Sequence, residues 1–313
     1  MGSYIFKRLL LAVPLLFMVA LLVFLLIRAI PGDPALLLVG DTSDPQALEE
    51  IRRSLGLDQP LATQFWLWLQ RLLHGDLGQS LITHEPVLDL VTSRFAVTAQ
   101  IVLIATAIAA SIALPMGIVA AWRQGSGLDA TVVAGTVLMM SVPSFWVGIL
   151  LLLVFGVVLG WAPVVGYVAL SDDLLQGVSY LILPVVALVL TEMASITRIM
   201  RASTIDILRL DYVAHARAKG LPERVVLGVH VFPNAFGPAL TIIGLILGHL
   251  LGGAAVVETV FTLPGAGRLL VESIYARDYA VVQGCLLVIA TIYILVNLLV
   301  DLMYPLFDPR VRL

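Results

Sequence analysis

The stretch that decides the fold is Asp211–Ala235, DYVAHARAKGLPERVVLGVHVFPNA, a polar and basic segment between two apolar runs. Residues 211–219 can form a short helix, Gly220 supplies a helix stop, and Pro222 suits the first turn of a second helix. The pattern predicts a compact helix–turn–helix unit, and we call residues 211–224 the knuckle. These residues alone favour equally an interfacial helix held to anionic lipid by its basic side chains and a docking site for another protein.

The composition around this segment is that of an integral membrane protein. Of the 313 residues, 60% are hydrophobic and only 12% are charged, which is too little polar surface for a soluble chain. Six runs are long enough to cross a hydrocarbon core, which takes roughly 20 apolar residues. They are Leu9–Ile30, Ala96–Trp122, Thr131–Gly160, Leu181–Ile199, Phe236–Val257 and Val281–Tyr304. Because backbone groups that face lipid must be paired within their own segment, we expect all six to be helices.

The distribution of Lys and Arg predicts on which side of the membrane the knuckle lies. If both termini are cytoplasmic, eleven of the eighteen basic residues fall in inside segments. These are Lys7, Arg8, Arg123, Arg198, Arg201, Arg209, Arg217, Lys219, Arg224, Arg310 and Arg312. The loop between the third and fourth runs carries Asp172 and Asp173 and no basic residue. Since inside segments are enriched in Lys and Arg, we expect both termini and the knuckle to be cytoplasmic.

The long outer loop, residues 31–95, predicts two amphipathic helices. Residues 44–57, DPQALEEIRRSLGL, begin with helix-start residues, and residues 60–75, PLATQFWLWLQRLLHG, place apolar side chains at helical spacing. The two helices are either a cap packed at the membrane interface or an outer gate or docking surface. The chain thus divides into residues 1–30 with the first span, the outer loop, and a core of five spans over residues 96–313 that includes the cytoplasmic loop 200–235.

Two ionisable side chains stand out because polar groups are costly inside a span. His249 lies in the fifth run, where it is either a packed hydrogen-bonding residue between helices or a contact on the translocation path. Glu192, at the inner end of the fourth run, is expected to form a structural ion pair with Arg198 or Arg201 rather than to bind substrate. Both residues are candidates for the path or its gate.

Glycines and a proline mark two further candidate features. Gly244, Gly248 and Gly252 form a fourfold-spaced stripe that lets another helix approach closely, either within the chain or from a partner along the path. After the fifth run, Pro264, Gly265 and Gly267 break the helix in FTLPGAGRLL. This turn is either an ordinary outer helix–loop or a plug that dips into the outer mouth.

The residues also bear on the function classes that remain. A phosphate loop needs Gly-x4-Gly-Lys-Ser/Thr, yet the lysines are only Lys7 and Lys219, and neither precedes Ser or Thr. The five histidines show no His-Glu-x2-His spacing, so no metal site is expected. A stand-alone secondary transporter would need coupled-ion sites and inverted repeats, which are not evident, and an intramembrane hydrolase would need a nucleophile motif such as Gly-x-Ser-x-Gly. The chain is therefore not expected to be an enzyme.

The knuckle resembles the cytoplasmic coupling loop of ABC importer permeases. The broad pattern is Glu-Ala-Ala, three residues, Gly, nine residues and Ile-x-Leu-Pro, and Ala216, Gly220 and Pro233 match it at the stated spacing. The leading Glu and the Ile and Leu are absent. This version is similar to that of the dipeptide, oligopeptide and nickel branch, which reads close to DYVAHARAKGL followed by the equivalents of His230 and Asn234.

Further stretches resemble the same branch in order along the chain. They are PGDPA from Pro31, LGLDQPL and HGDLGQS in the outer loop, ETVFTLPGAGRLL and RDYAVVQG after the fifth run, and NLLVDLMYPLFDPRVR at the end. The resemblance implies an all-α integral membrane protein with six transmembrane helices in the type I importer permease fold, located in the bacterial inner membrane.

The resemblance also implies the partners of such a permease. A second, homologous membrane subunit, two cytoplasmic subunits that bind ATP and Mg²⁺, and an extracytoplasmic substrate-binding protein are expected, and nucleic acid is not. The residues implied in coupling to the ATPase are Asp211, Tyr212, Ala214, His215, Ala216, Arg217, Ala218, Lys219, Gly220 and Leu221. The implied cargo is a small peptide, with a nickel chelate or glutathione as alternatives.

Overall fold

The structure is a computed structural model that describes residues 2–29 and 58–307. Within these ranges the regular secondary structure is helical. In chain order the helices are α1 (Gly2–Ala29), α2 (Leu61–Leu73), α3 (Val87–Trp122), α4 (Gly127–Met140), α5 (Ser144–Leu151), α6 (Leu174–Leu208), α7 (Asp211–Ala218), α8 (Glu223–Val225), α9 (Phe232–Gly253), α10 (Ala255–Val260), α11 (Ala266–Tyr275) and α12 (Tyr279–Phe307). Helix α5 continues as a π-helix over Leu152–Val158, and a second π-helix, Val226–Val231, joins α8 to α9.

Five of these segments are long and apolar enough to cross a membrane, and they correspond to five of the six predicted spans. The third span is different, because the predicted single helix over 131–160 is a pair, α4 and α5, bent by 93°. Pro143 explains the break: it has no N–H to donate, and it disfavours helical backbone at the residue before it. Counted as one bent span, the pair completes a set of six in the described part of the chain.

Several helices extend beyond the apolar runs that predicted them. Helix α3 begins at Val87, nine residues before the predicted span, and α6 covers Leu174–Leu208 rather than 181–199. Hydropathy marks only the part of a helix that lies in hydrocarbon, whereas the helix itself continues into its polar flanks. The second predicted outer helix is present as α2, and the first, over residues 44–57, lies outside the described residues.

The core is built on close packing of α3, α6 and α9. Alanines on α3 and α6, such as Ala109 and Ala187, are fully buried and allow the two helix backbones to approach. At Gly117 a Cβ atom would lie 2.8 Å from the Cβ of Met200 and 2.9 Å from the carbonyl oxygen of Thr197. This contact requires glycine.

The glycine stripe of α9 packs within the chain, against α12. Gly244 lies against Val300, Gly248 lies against Tyr293, and Gly252 faces Ile289. Because the numbers rise on one helix as they fall on the other, the two helices are antiparallel. The C-terminal end of α12 therefore lies on the same side of the molecule as the knuckle, which precedes α9.

Helix α1 is attached to the bundle at both of its ends. The Arg8 guanidinium contacts the Asp301 carboxylate of α12 at 2.5 Å. Near the other end, Arg28 donates a hydrogen bond to the Gln64 side chain of α2 at 2.9 Å, and its guanidinium stacks over the Phe24 ring. Phe24 and Phe65 also meet edge to face, so aromatic contacts hold α2 against α1.

Candidate coupling and translocation site

The knuckle has the predicted form of a helix, a sharp turn and a second helix. Helix α7 spans Asp211–Ala218, and Gly220 follows with φ +77°, a left-handed conformation that glycine adopts without a side-chain penalty. The Gly220 N–H donates to the carbonyl of Arg217 at 2.9 Å, and Pro222 caps the start of α8. The predicted stop and restart are therefore both confirmed.

A small apolar anchor holds the knuckle on the bundle. Val213 and Ala216 are the buried residues of α7, and they belong to a cluster with Met200 of α6 and with Val226 and Val231 of the π-helix. Because α6 precedes the knuckle and the π-helix leads into α9, the anchor fixes the knuckle to the ends of two long helices. A displacement of the knuckle is thus applied directly to α6 and α9.

Polar contacts at the knuckle stabilise it less than the apolar anchor does. Arg217 and Glu223 form an ion pair at 2.8 Å, but both side chains keep 38% of their surface exposed, so the pair stabilises by about 0–1 kcal/mol. The Tyr212 hydroxyl donates to the carbonyl oxygen of His230 at 3.2 Å. The remaining predicted coupling residues form the outward face and are exposed: Asp211, Tyr212, Ala214, His215, Arg217, Ala218, Lys219, Gly220 and Leu221. The buried Ala216 is a support rather than a contact residue.

The two predicted intramembrane path residues lie on neighbouring helices. Glu192 of α6 is half-buried, and His249 of α9 is exposed. The expected ion pair of Glu192 with Arg198 or Arg201 is wrong. Arg201 instead binds Asp129 through two contacts of 2.6 and 2.7 Å, and the Arg198 guanidinium faces the Met140 sulfur at 3.2 Å. The reason is helix geometry, because six or nine residues along α6 turn these side chains away from Glu192.

The outer turn contains a buried carboxylate that the residue patterns did not single out as a site. Glu258 of α10 is 1% exposed. It accepts hydrogen bonds from the Thr98 hydroxyl at 2.5 Å and from the Arg268 backbone N–H at 2.9 Å. The same Thr98 oxygen accepts from the Ala266 N–H at 2.9 Å. Burial raises the pKa of the Glu258 carboxyl, whereas these hydrogen bonds act in the opposite direction.

The glycines of the outer turn are explained by this carboxylate and by α10. A Cβ atom at Gly265 would overlap the Glu258 carboxylate, and a Cβ at Gly267 would lie 2.7 Å from the Ala255 backbone. Pro264 is half-buried between them and α10. The turn is thus packed onto α3 and α10 in this conformation. The signal that points to Glu258 is an acidic residue that follows an apolar span and precedes a Pro-Gly turn.

In the described ranges, 2–29 and 58–307, no three His, Cys, Asp or Glu side chains lie close enough together to bind a metal ion. Cys285 is buried within the apolar cluster between α3 and α12. The described residues therefore offer surfaces for recognition and movement: an exposed polar knuckle, an acid and an imidazole on neighbouring spans, and an outer turn packed onto α3 and α10.

Comparison with known proteins gives family-level matches over most of the chain. Residues 113–313 match the family described as "Binding-protein-dependent transport system inner membrane component", and residues 1–102 match the N-terminal family of such membrane components. The chain is 43% identical over 312 residues to a Brucella abortus (strain 2308) protein named as a peptide transport system permease, covering 100% of this chain and 99% of the relative. It is 42% identical, with the same coverage, to the glutathione transport system permease protein GsiC of Escherichia coli O6:H1.

A solved structure shares the fold. A chain of the MetNI methionine ABC transporter, in an inward-facing conformation, superposes with a TM-score of 0.58 at 18% identity. The match covers 72% of this chain and 99% of that chain.

Proposed function

The chain belongs to the family of inner-membrane components of binding-protein-dependent transport systems, and we propose that it forms half of the path of an ATP-driven importer for small peptides. The observation that carries this proposal is the knuckle: nine outward-facing residues on a turn that two buried side chains fasten to α6 and α9. An isolated lipid-facing anchor would not need to be fixed so firmly to two spans.

In this function the knuckle is the contact with a cytoplasmic ATP-binding subunit, and both termini of the chain are cytoplasmic. ATP and Mg²⁺ bind to the partner, because this chain has no phosphate loop. When the partner subunits close, they move the knuckle, and the Val213–Met200 and Val213–Val226 packing passes the movement to α6 and α9 as rigid bodies. The cavity between the two membrane subunits then opens alternately to each side.

Glu192 and His249 are proposed to face the translocation path. Two pairs of charged side chains in the described spans neutralise each other, Asp129 with Arg201 and Arg8 with Asp301. Glu192 is half-buried in α6, next to the helix that carries His249, and an acid within a span is unfavourable against lipid. The surface that carries both groups therefore fits a water-filled path, completed by a second, homologous membrane subunit.

The outer turn at Pro264, Gly265 and Gly267 is proposed to close the outer mouth. Its backbone is held on α10 and α3 by Glu258 and Thr98 rather than left as a free loop. A substrate-binding protein delivers the cargo on this side. The peptide assignment rests on the names of relatives, one of which transports glutathione, itself a short peptide, and a nickel chelate is the remaining alternative cargo.

The docking role can be tested with Ala214→Arg and Ala218→Arg, which lie one turn apart on the exposed face of α7. In the complex reconstituted with its binding protein and a dipeptide, we expect each to lower ligand-stimulated ATP hydrolysis at least about tenfold, as loss of an interface hot spot does. The matched control is Ala130→Arg, also exposed and on the knuckle side of the bundle, which should retain stimulation.

Two outcomes would contradict the proposal. Normal stimulation in both knuckle variants would place the ATPase contact elsewhere. Peptide uptake driven by an ion gradient in vesicles that contain this chain alone would instead favour a secondary transporter.

A further inference from the structure

A cavity of about 610 Å³ lies between α1, α9 and α12, apart from the knuckle, Glu192, His249 and the outer turn. Its wall is mostly apolar, with Leu11 and Leu15 from α1 and Leu286 and Ile289 from α12. Arg8 and Asp301 lie at one end. This is the groove that separates α1 from the rest of the bundle between the attachments at the two ends of the helix.

The cavity is too large to be empty and too apolar for water. A void of about 150 Å³ with a hydrocarbon lining already stays dry and takes up benzene. The present cavity is about four times that size, and a water molecule needs two to four polar partners that an aliphatic wall does not provide. The groove is partly open rather than enclosed, so that an apolar molecule can enter it and cover this wall.

The shape of the space distinguishes between apolar occupants. A helix with its side chains has a diameter of about 10–12 Å, so that 610 Å³ would hold only about one turn of a helix from another subunit. A hydrocarbon chain is thin and flexible enough to follow a groove between two helices. Helix α1 is also the most apolar of the candidate spans and only 22% buried in its most hydrophobic window, so most of its surface is suited to hydrocarbon.

The charged end of the groove indicates the class of molecule to which that hydrocarbon chain belongs. Arg8 lines the cavity and Lys7 is exposed next to it. The Arg8 guanidinium contacts Asp301, and Lys7 is a second basic side chain at this end. This end lies on the knuckle side, because Asp301 is near the C-terminal end of α12. Basic side chains at the membrane surface attract the phosphate groups of lipids.

We propose that this groove is a lipid-binding site, in which one acyl chain of a membrane phospholipid lies between α1, α9 and α12 with its phosphate beside Lys7 and Arg8. The bound acyl chain fills space that no side chain of the groove occupies. It packs between α1 and α12 along the length from the Arg8–Asp301 contact to the aromatic contacts around Phe24.

Native mass spectrometry tests this site. The complex is purified through a tag on this chain, passed through nanodiscs of phosphatidylethanolamine and phosphatidylglycerol, and transferred to mild detergent. We expect one phospholipid to stay bound per copy of this chain. Ala12→Phe combined with Ala290→Phe fills the cavity from both walls and should lower the retained fraction at least tenfold. Lys7→Gln should lower it several-fold.

The control for added bulk is Ala107→Phe, at an exposed position of α3 outside the cavity, which should retain lipid like the unmodified chain. If the double variant does not fold, Ala12→Leu adds less volume and should give a smaller loss in the same direction. The proposal is overturned if the unmodified chain retains no phospholipid, or if filled variants that fold retain it equally. It is also overturned if the Ala12→Cys variant forms cross-links to another protein subunit.

Discussion

At the scale of single residues, the described structure depends on polar contacts that a hydropathy pattern does not reveal. Glu258 is buried among the outer turn, α10 and α3, where each carboxylate oxygen accepts a hydrogen bond. Position 265 requires glycine because the Glu258 carboxylate occupies the space in which a side chain would lie. The acid and the glycine therefore form one unit, and their effects on stability are expected to be coupled.

A double-mutant cycle tests that unit. Gly265→Ala should lower the thermal midpoint of the purified complex, because its Cβ overlaps the carboxylate. Glu258→Ala should also lower it, since it leaves Thr98 and the Arg268 N–H without their acceptor, at about 1–3 kcal/mol for each buried group. In the Glu258→Ala background the alanine at 265 has room, so its added cost should be close to zero. Additive losses would contradict the contact.

Breaking each of the two ion pairs on the knuckle side should lower the stability of the chain by a different amount. Asp129 is 8% exposed and binds Arg201 through two contacts. Asp129→Ala should therefore cost about 1.5–3 kcal/mol, the range for hydrogen bonds to a charged group, because Arg201 keeps a quarter of its surface exposed. Arg217→Ala should cost about 1 kcal/mol or less, as for exposed pairs. Thermal unfolding in detergent gives the comparison, and equal shifts would contradict it.

At the scale of elements, the helix spacing is set by where glycine is obligatory. Gly117 brings α3 against α6 at the level of Met200, whereas Gly135 of α4 has no atom within 4 Å of where its Cβ would lie. Both glycines are in helices, so that alanine improves the helix propensity of each by the same amount. The difference between the two sites therefore measures packing alone.

This difference predicts opposite signs for the same substitution. Gly135→Ala should stabilise the chain by about 0.5–1 kcal/mol, the ordinary gain for a helix interior. Gly117→Ala should destabilise it, because the 2.8 Å approach to Met200 and the 2.9 Å approach to the Thr197 carbonyl force the helices apart. Thermal midpoints of the two variants give the test, and a gain at both sites would mean that α3 and α6 are less closely packed.

Some of the elements could be predicted from the sequence, and others could not. Residues 211–222 predict the knuckle correctly because its signals, Gly220 and Pro222, act on adjacent backbone. The 93° bend at Pro143 was missed because a proline inside an apolar run can end a helix or only kink it, as Pro184 shows by lying inside the continuous helix α6. The contacts of Arg201 and Glu258 were missed because their partners come from helices distant in sequence.

At the scale of the whole molecule, we expect this chain to be one of two membrane subunits, and we expect the other subunit to complete the surface that carries Glu192 and His249. Glu192 and His249 lie on the two helices to which the knuckle is anchored. The proposed path and the proposed ATPase contact are therefore linked by rigid helices rather than by a flexible loop.

Glu192→Leu distinguishes a path residue from a structural one. Replacing an acid that stabilises the fold would lower the stability of the chain. An acid that faces a translocation path instead lowers stability by its burial in the membrane, so its replacement should leave the thermal midpoint unchanged or raise it. We expect peptide uptake by the reconstituted complex to fall at least several-fold at the same time. Thr191→Val is the control, since its hydroxyl only bonds back to carbonyls of its own helix. Lower stability with normal uptake would contradict the assignment.

The bent third span joins the two faces of the membrane in a way that a straight helix would not. At its first turn Asp129 binds Arg201 on the knuckle side of the molecule, and beyond the bend Gly148 packs against Phe261 beside the outer turn, where a Cβ atom would lie 2.9 Å from the ring. The third span is thus fixed at both of its ends. If the knuckle transmits movement as proposed, a rotation of α6 at Arg201 would displace α5 at the far end, so that the outer turn could follow it without any helix moving along its own axis.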